Sequence, residues 1–408
     1  MTSRLSSLDA FRGATIALMI LVNNPGNWGA VYAPLQHAEW HGWTPTDLVF
    51  PFFLFIVGAA IGLAFDRQLA QGLPRGPLLL KASRRAVVLF VLGLVLAGWS
   101  HKEFASLMVA VVSLGVGSLL ARRLPSTWRE VAYMVLWLAF GTYLAWDDSI
   151  RIPGVLQRIA VCYFCAVALY LLAPRRALGW IVAALLLGYW GLMTLVPVPG
   201  HGAGLLDDKA NNLASYLDRL LLEGHIWKKG IRDPEGPLHT LTALCTTLFG
   251  VFAAGVLQGG GTPVEKALRL CLRGLGLVAL GYAWSFAFPI NKALWTSSYA
   301  VFTAGLATCA LAACYWYVDV RGPRRQAEPL VTYGLNAITV FVGSGIVGRA
   351  LTRIEVAPKV PLKAWLYEHA FDNWLPPHAA SLAYAIVWVG CWYLVLRVMR
   401  ARGWIIKV

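Results

Sequence analysis

Long apolar runs separated by short polar clusters recur from one end of the chain to the other. Twelve of them predict membrane-spanning helices, over residues 7–23, 46–65, 86–100, 104–121, 130–146, 154–173, 177–196, 238–258, 274–289, 297–318, 330–349 and 380–397. The run at 86–100 is short for a hydrocarbon core about 30 Å thick and is expected to borrow from its flanks. Three long connections, 24–45, 197–237 and 350–379, fall on one face. In the second, the extracytoplasmic loop 197–237, Asn211, Asn212, Trp227 and the turn Asp233-Pro234-Glu235-Gly236 predict a folded cap rather than a linker. The pattern is that of an all-α integral membrane protein. It predicts a polytopic bundle of 10–12 spans, with twelve the best count, in a single domain over 1–408.

Composition strengthens that reading. Hydrophobic residues make up 58% of the 408 positions and charged residues 13%, against roughly 25% charged in soluble domains. The net charge of +15 does not point to nucleic acid, since no nucleic-acid-binding motif accompanies it. The Lys/Arg excess falls on segments that would be cytoplasmic if the N-terminus is inside, and the 24–45 loop carries none, so both termini are expected in the cytoplasm. Trp28, Trp40, Trp43, Trp99, Trp146 and Trp295 lie near the outer ends of spans, as an interfacial belt would. The seven cysteines sit in or beside apolar runs, and Cys162-x-x-Cys165, despite its redox spacing, reads as buried small hydrophobes. No metal site is expected. The first apolar run lacks a small-residue cleavage site and is expected to remain as a span.

Polar information is densest in the first 60 residues. Ser6-Ser7-Leu8-Asp9 suggests a helix N-cap, and Asp9 and Arg12 are spaced to pair on one helix face. The first helix stops at Asn23-Asn24-Pro25-Gly26. A loop with Gln36-His37-Ala38-Glu39-Trp40-His41 leads to a second helix start at Thr44-Pro45-Thr46-Asp47. Thr44 and Asp47 have capping-box spacing, so Asp47 reads equally as a structural cap and as an active-site acid. His37 alone reads as a solvated or packed histidine, and Asn23 as a helix end. Arg158 lies more than a turn inside an apolar run, where a charge needs a partner, a cavity or an anion; Asp9 and Asp47 are the candidate partners. On these residues the chain has a polar pocket near the outer ends of its first two spans, and transporter and enzyme are evenly matched.

Seven segments, in order along the chain, resemble the heparan-α-glucosaminide N-acetyltransferase family, including its bacterial NagX-like members. They are Leu8-Asp9-Ala10-Phe11-Arg12-Gly13; Val22-Asn23; His37 to Gly42, continuing through Thr44 to Gly58; Arg151 to Arg158; Asp233-Pro234-Glu235-Gly236; Pro289 to Trp295; and Tyr333-Gly334-Leu335-Asn336-Ala337. The resemblance implies a transmembrane acyltransferase fold. It also implies transfer of acetyl from cytosolic acetyl-CoA to the amine of glucosamine, or of a terminal glucosaminide, on the extracytoplasmic side. His37 then matches the catalytic histidine and Asn23 an active-site asparagine. His37 would act as a general base or carry acetyl as acetyl-imidazole, and Asp47 would orient it or bind the sugar ammonium. Arg12, Arg84, Arg85 and Arg158 are candidates for CoA; Asn24, Trp40, His41, Glu235 and Asn291 are candidates for the sugar. A plasma-membrane (bacterial inner-membrane) location and a homodimer follow from the family alone. Two departures stand out: residues 101–150 add two helices to a core of about ten, and His41 stands where relatives often have asparagine. The rival readings are a carrier for N-acetylglucosamine or its oligomers and an O-acyltransferase of an envelope glycan.

Overall fold

A computed structural model describes residues 5–98, 104–146, 150–227, 230–322 and 324–406, with side chains of 104–111 and 324 outside the description. The Trp99 of the expected aromatic belt therefore lies outside the described residues. Each of the twelve apolar runs overlaps helix among the described residues. In chain order the helices are α1 (Ser6–Asn23), α2 (Val49–Ala70), α3 (Arg75–Gly98), α4 (Phe104–Ala121), α5 (Ser126–Ala145), α6 (Val155–Leu172), α7 (Arg175–Leu195) and α8 (Leu213–Leu221). They continue with α9 (Thr240–Gln258), α10 (Pro263–Trp284), α11 (Ser297–Cys314), α12 (Arg324–Leu335), α13 (Ala337–Arg353), α14 (Leu362–Tyr367) and α15 (Pro377–Ala401).

Three boundaries differ from expectation for identifiable reasons. The short run at 86–100 is the apolar tail of the 24-residue α3, whose first half carries Lys81, Arg84 and Arg85. The expected span 330–349 is two helices, α12 and α13, bent by 67° at Asn336. There the Asn336 side chain donates to Trp404 O and accepts from Ile406 N, so the polar break is filled by the chain's own C-terminal segment. The N-cap expected from Ser6-Ser7 is absent; Leu5 occupies that position and makes no side-chain cap bond. Among the described residues, seven helices are long and apolar enough to cross a membrane, or eight if the α12–α13 pair is one span. The runs outside this count are α1, α3 and α5, whose charged residues lower their mean hydropathy, and α4, of which only Val112–Ala121 has described side chains.

Backbone contacts divide the chain into two compact units. The first comprises Met1–Ile56, Gly259–Gly276 and Gly305–Lys407, the second Val57–Gln258 and Leu277–Ala304. In the first unit α1 lies directly against α12. A Cβ on Gly13 would meet Leu330 O at 1.7 Å, and one on Gly334 would meet Asp9 O at 2.0 Å, so both positions require glycine for the backbones to touch. Ile16, Met19, Ile20, Val340, Leu396 and Met399 close a core between α1, α13 and α15. In the second unit α2 meets α9 in the same manner at Gly58, where a Cβ would lie 1.7 Å from Thr247 O. Val91 and Leu94 of α3 pack with Phe140 and Leu144 of α5.

The long connections are folded. Within 197–237, α8 is capped by Asn212, whose Oδ1 accepts from Ser215 N at 3.0 Å. Within 350–379 a short hairpin, β1 (Glu355–Ala357) with β2 (Val360–Pro361), leads into α14.

Candidate active site

The 3₁₀ turn Pro45–Leu48 that opens α2 organises the first site. Asp47 is fully buried, and a carboxylate removed from water must be met by donors. Its Oδ2 accepts from the backbone N–H groups of Thr44 and Ala38, both at 3.0 Å. Its Oδ1 lies 2.7 Å from His37 Nδ1. The Thr44 hydroxyl donates to Gln36 O at 2.6 Å, tying the loop to the same turn. Asp47 therefore closes the capping box with one oxygen and contacts the histidine with the other. An ionised carboxylate only accepts, so the proton of a neutral His37 sits on Nδ1 and the lone pair on Nε2. The His37 side chain is 56% exposed while that of Asp47 is 1% exposed. The pair thus presents a fixed imidazole outward from a buried anion.

The end of α1 in the same unit is held against α15. Gly26 N donates to Ser381 O at 3.2 Å, Asn27 N to Ser381 Oγ at 3.1 Å, and Ser381 Oγ to Asn27 O at 3.0 Å. Lys363 Nζ donates to Pro25 O at 3.0 Å. Burial holds the Lys363 ammonium below its usual range. Asn23 is the last residue of α1 and exposed. Asn24 turns back to donate to Ile20 O at 2.8 Å. Trp40 and His41 are half-buried neighbours, their rings 6.0 Å apart. Arg12 pairs with Asp9 at 2.9 Å, as its spacing predicts.

The second unit holds a different polar cluster. Arg151 bridges Asp233, with Nε to Oδ2 at 2.7 Å, and also pairs with Glu235. These carboxylates outweigh the cost of burial and hold Arg151 above its usual range. Asp233 further accepts from Trp227 N and Glu235 N, and its own N–H donates to Asp218 Oδ2 at 2.9 Å. Arg158, expected to meet Asp9 or Asp47, instead donates to Gly236 O at 3.2 Å and lies 5.1 Å from the centre of the Trp295 ring. Trp295 adopts a left-handed backbone, φ 47°, in the turn that Asn291 closes by accepting from Leu294 N at 2.9 Å. Asn291 is thus fully buried and occupied within its own turn. Arg84 pairs with Glu130 at 2.9 Å, and Arg85 lies 5.0 Å from the Tyr163 ring centre.

Two buried groups here escaped sequence reasoning. Asp218, on α8, is pushed up to about 7, mainly by burial. A Cβ on Gly236 would come within 1.9 Å of its Oδ1, an atom with no partner among the described residues. His239 is held well below the usual histidine range by burial and then by the charges of Arg158 and Arg232, and is neutral. Its Nε2 lies 2.9 Å from Asp233 O and 3.0 Å from Gly236 N. Gly236 N also reaches Asp233 O, so donation from Nε2 to Asp233 O leaves the fewest buried donors unmet. The one sequence signal for His239 was its place between the Asp233–Gly236 turn and an apolar run. Nothing in the sequence marked Asp218.

Sequence comparison bears on the identity of this arrangement. A family model described as a domain of unknown function (DUF5009) matches residues 4–120. The heparan-alpha-glucosaminide N-acetyltransferase of Homo sapiens is 30% identical over 395 residues, 83% of this chain and 52% of that protein. Its namesake of Mus musculus is 28% identical over 391 residues, 84% of this chain and 53% of that protein. The chain spans about half the length of these curated relatives. Over most of its own length, this chain is a homologue of the heparan-α-glucosaminide N-acetyltransferases.

Proposed function

We propose that the chain is a membrane N-acetyltransferase that moves acetyl from acetyl-CoA to the amine of glucosamine or a terminal glucosaminide, with His37 at the reacting centre. The observation that carries this reading is the 2.7 Å contact between His37 Nδ1 and the buried Asp47. A sugar ammonium cannot attack a thioester until it loses a proton. His37 Nε2 takes that proton, and the amine nitrogen bonds to the acetyl carbon. The C–S bond then breaks, the CoA sulfur leaves as thiolate, and it takes up the second proton that the nitrogen sheds on becoming an acetamide, giving the acetamide and free CoA while His37 returns its proton to solvent. As the imidazole becomes charged, Asp47 stabilises it; the same carboxylate fixes which nitrogen is basic. Asn23 supplies an amide donor for the tetrahedral oxyanion. Arg84 and Arg85 are the basic groups proposed for the CoA phosphates. The donor approaches from the cytoplasm and the acceptor from outside, with both termini cytoplasmic in the plasma membrane. The test is CoA release from acetyl-CoA and glucosamine by the detergent-purified protein. His37→Ala is expected to lower kcat at least 10²-fold. A folded wild type that binds N-acetylglucosamine but releases no CoA favours a carrier instead.

A further inference from the structure

The end of α1 is closed largely by residues from the other end of the chain. The last four carbonyls of a helix lack partners within it and carry its negative pole. The last turn of α1 holds no basic residue, and Asn24 covers one carbonyl by donating to Ile20 O. The cation at this pole is Lys363 of α14, whose Nζ donates to Pro25 O at 3.0 Å across 338 positions. Its ammonium also lies 5.7 Å from the centre of the Tyr384 ring on α15. No carboxylate pairs with it among the described residues. α14 itself is firmly set. Leu362 N donates to Ile354 O at 2.6 Å, tying its first residue to the end of α13. Tyr367, its last residue, is buried with Ala380 and Tyr384 of α15, and its hydroxyl donates to Asp372 Oδ1 at 2.9 Å. A Cβ on Gly26 would overlap the Tyr367 ring, so ring and backbone touch. Lys363 and Tyr367 are four residues apart, on one face of α14, and that face grips Pro25-Gly26.

A half-buried ammonium without a carboxylate is a costly way to close a helix end, since burial disfavours its charge. A neutral donor would satisfy Pro25 O at less expense. What the charge adds is a strong, fixed hold on the turn that follows Asn23. That residue is the last of α1 and exposed, and no hydrogen bond holds its side chain among the described residues. Its place is therefore set by the backbone of the turn. A donor to an oxyanion works only where it meets the developing charge, and a displacement of about 1 Å can cost about 10²-fold in rate. We propose that Lys363 is a positioning residue for Asn23, pinning the end of α1 so that the amide stands where the tetrahedral oxyanion forms; this rests on the acetyl-transfer reading above. Lys363 then acts on the chemical step through Asn23 and leaves the binding of donor and acceptor unchanged.

The experiment is a double-mutant cycle with Asn23, followed by CoA release from acetyl-CoA and glucosamine. Lys363→Met is expected to lower kcat about 10–100-fold. KM for glucosamine and for acetyl-CoA should stay within about twofold, as for an interaction that counts only in the transition state. Lys363→Arg, which keeps the charge and its donors, should restore most of the loss. In an Asn23→Ala background the cost of Lys363→Met should shrink to about twofold or less, because the group it positions is gone. Amide hydrogen exchange over residues 21–31, read by mass spectrometry, should be about tenfold faster in Lys363→Met protein. Loss by the same factor in both backgrounds, or an unchanged kcat in monodisperse Lys363→Met protein, overturns the positioning role. A wild type that releases no CoA overturns the acetyl-transfer reading instead. Faster exchange in Lys363→Met then leaves the pinning of α1 standing, and unchanged exchange overturns it as well.

Discussion

The molecule contains two charged clusters built on opposite plans. Around His37, one fully buried carboxylate is satisfied by two backbone N–H groups and a single histidine that faces outward, 56% exposed. Around Arg151, a cation meets two carboxylates at once, one of which also accepts from two backbone N–H groups. In the second, Arg151, Asp233 and Glu235 pair with one another within the same unit. In the first, the anion is spent inside but the polarised group it holds is turned outward. The first plan turns the Nε2 side of the imidazole away from the carboxylate that holds it. The second locks the Asp233–Gly236 cap onto the start of α6. Glu235 and Asn291, both sugar candidates by sequence, fall in this second, self-contained cluster.

The sharpest way to break the comparison is Asp47→Asn. Its Oδ2 position must still accept from Ala38 and Thr44, so the amide NH₂ of the variant turns toward His37. Nδ1 is then forced to accept and Nε2 to carry the proton, which is the wrong tautomer for a base. The expected loss is about 10²–10⁴-fold in kcat with the fold retained. Stopped CoA release alongside an unchanged unfolding temperature would bear this out. A variant with near wild-type kcat would show that Asp47 is a helix cap and nothing more.

How much of this was open to reading in the sequence follows from the same contrast. Apolar runs marked the long helices but not α8 or α14, and local spacing gave the Asp9–Arg12 pair and the Thr44–Asp47 box, because these depend on residues three apart. The 67° break at Asn336 was not legible, since it is filled by backbone groups of Trp404 and Ile406, some seventy positions away. Arg158 was rightly singled out as costly in an apolar run, but its partners were not. A helix that is apolar on all sides carries no amphipathic stripe to say which neighbour a lone polar residue faces. Asp218 hid for the opposite reason, since an acid in a polar loop looks solvated until the loop folds over it.

On the second cluster, Asp233→Ala should act on stability rather than on the chemical step. It strips Arg151 of its main partner and leaves the N–H groups of Trp227 and Glu235 without their acceptor. Removing one member of a buried pair costs about 3–5 kcal/mol, here toward the lower end because Arg151 is 28% exposed and keeps Glu235. Thermal unfolding in detergent should register a clear drop, while kcat per folded molecule stays close to wild type. A large fall in kcat without a fall in stability would place this cluster in the reaction and erase the distinction drawn above.

The gentlest probe is pH. Asp218 has its carboxyl raised from 3.8 to about 7, first by burial and further by the charge of Asp233, against the opposing bond from Asp233 N–H and the charges of Arg158 and Arg219. Between pH 4 and 7 the folded protein therefore keeps a proton that the unfolded chain has given up. Stability rises with pH only where the unfolded state binds more protons, so this group works in reverse. Its contribution is fully present below about pH 4, is lost as pH climbs to about 7, and is flat beyond. Measured against Asp218→Asn, which cannot titrate, the wild type should lose on the order of a few degrees in unfolding temperature between pH 4.5 and 7.5. Equal slopes for the two proteins would mean that water reaches Asp218 and that the cap is looser than its hydrogen bonds suggest. A slope confined to this window, with kcat following a different pH profile, would set the pH-sensitive cap apart from the proton-transfer group proposed at His37.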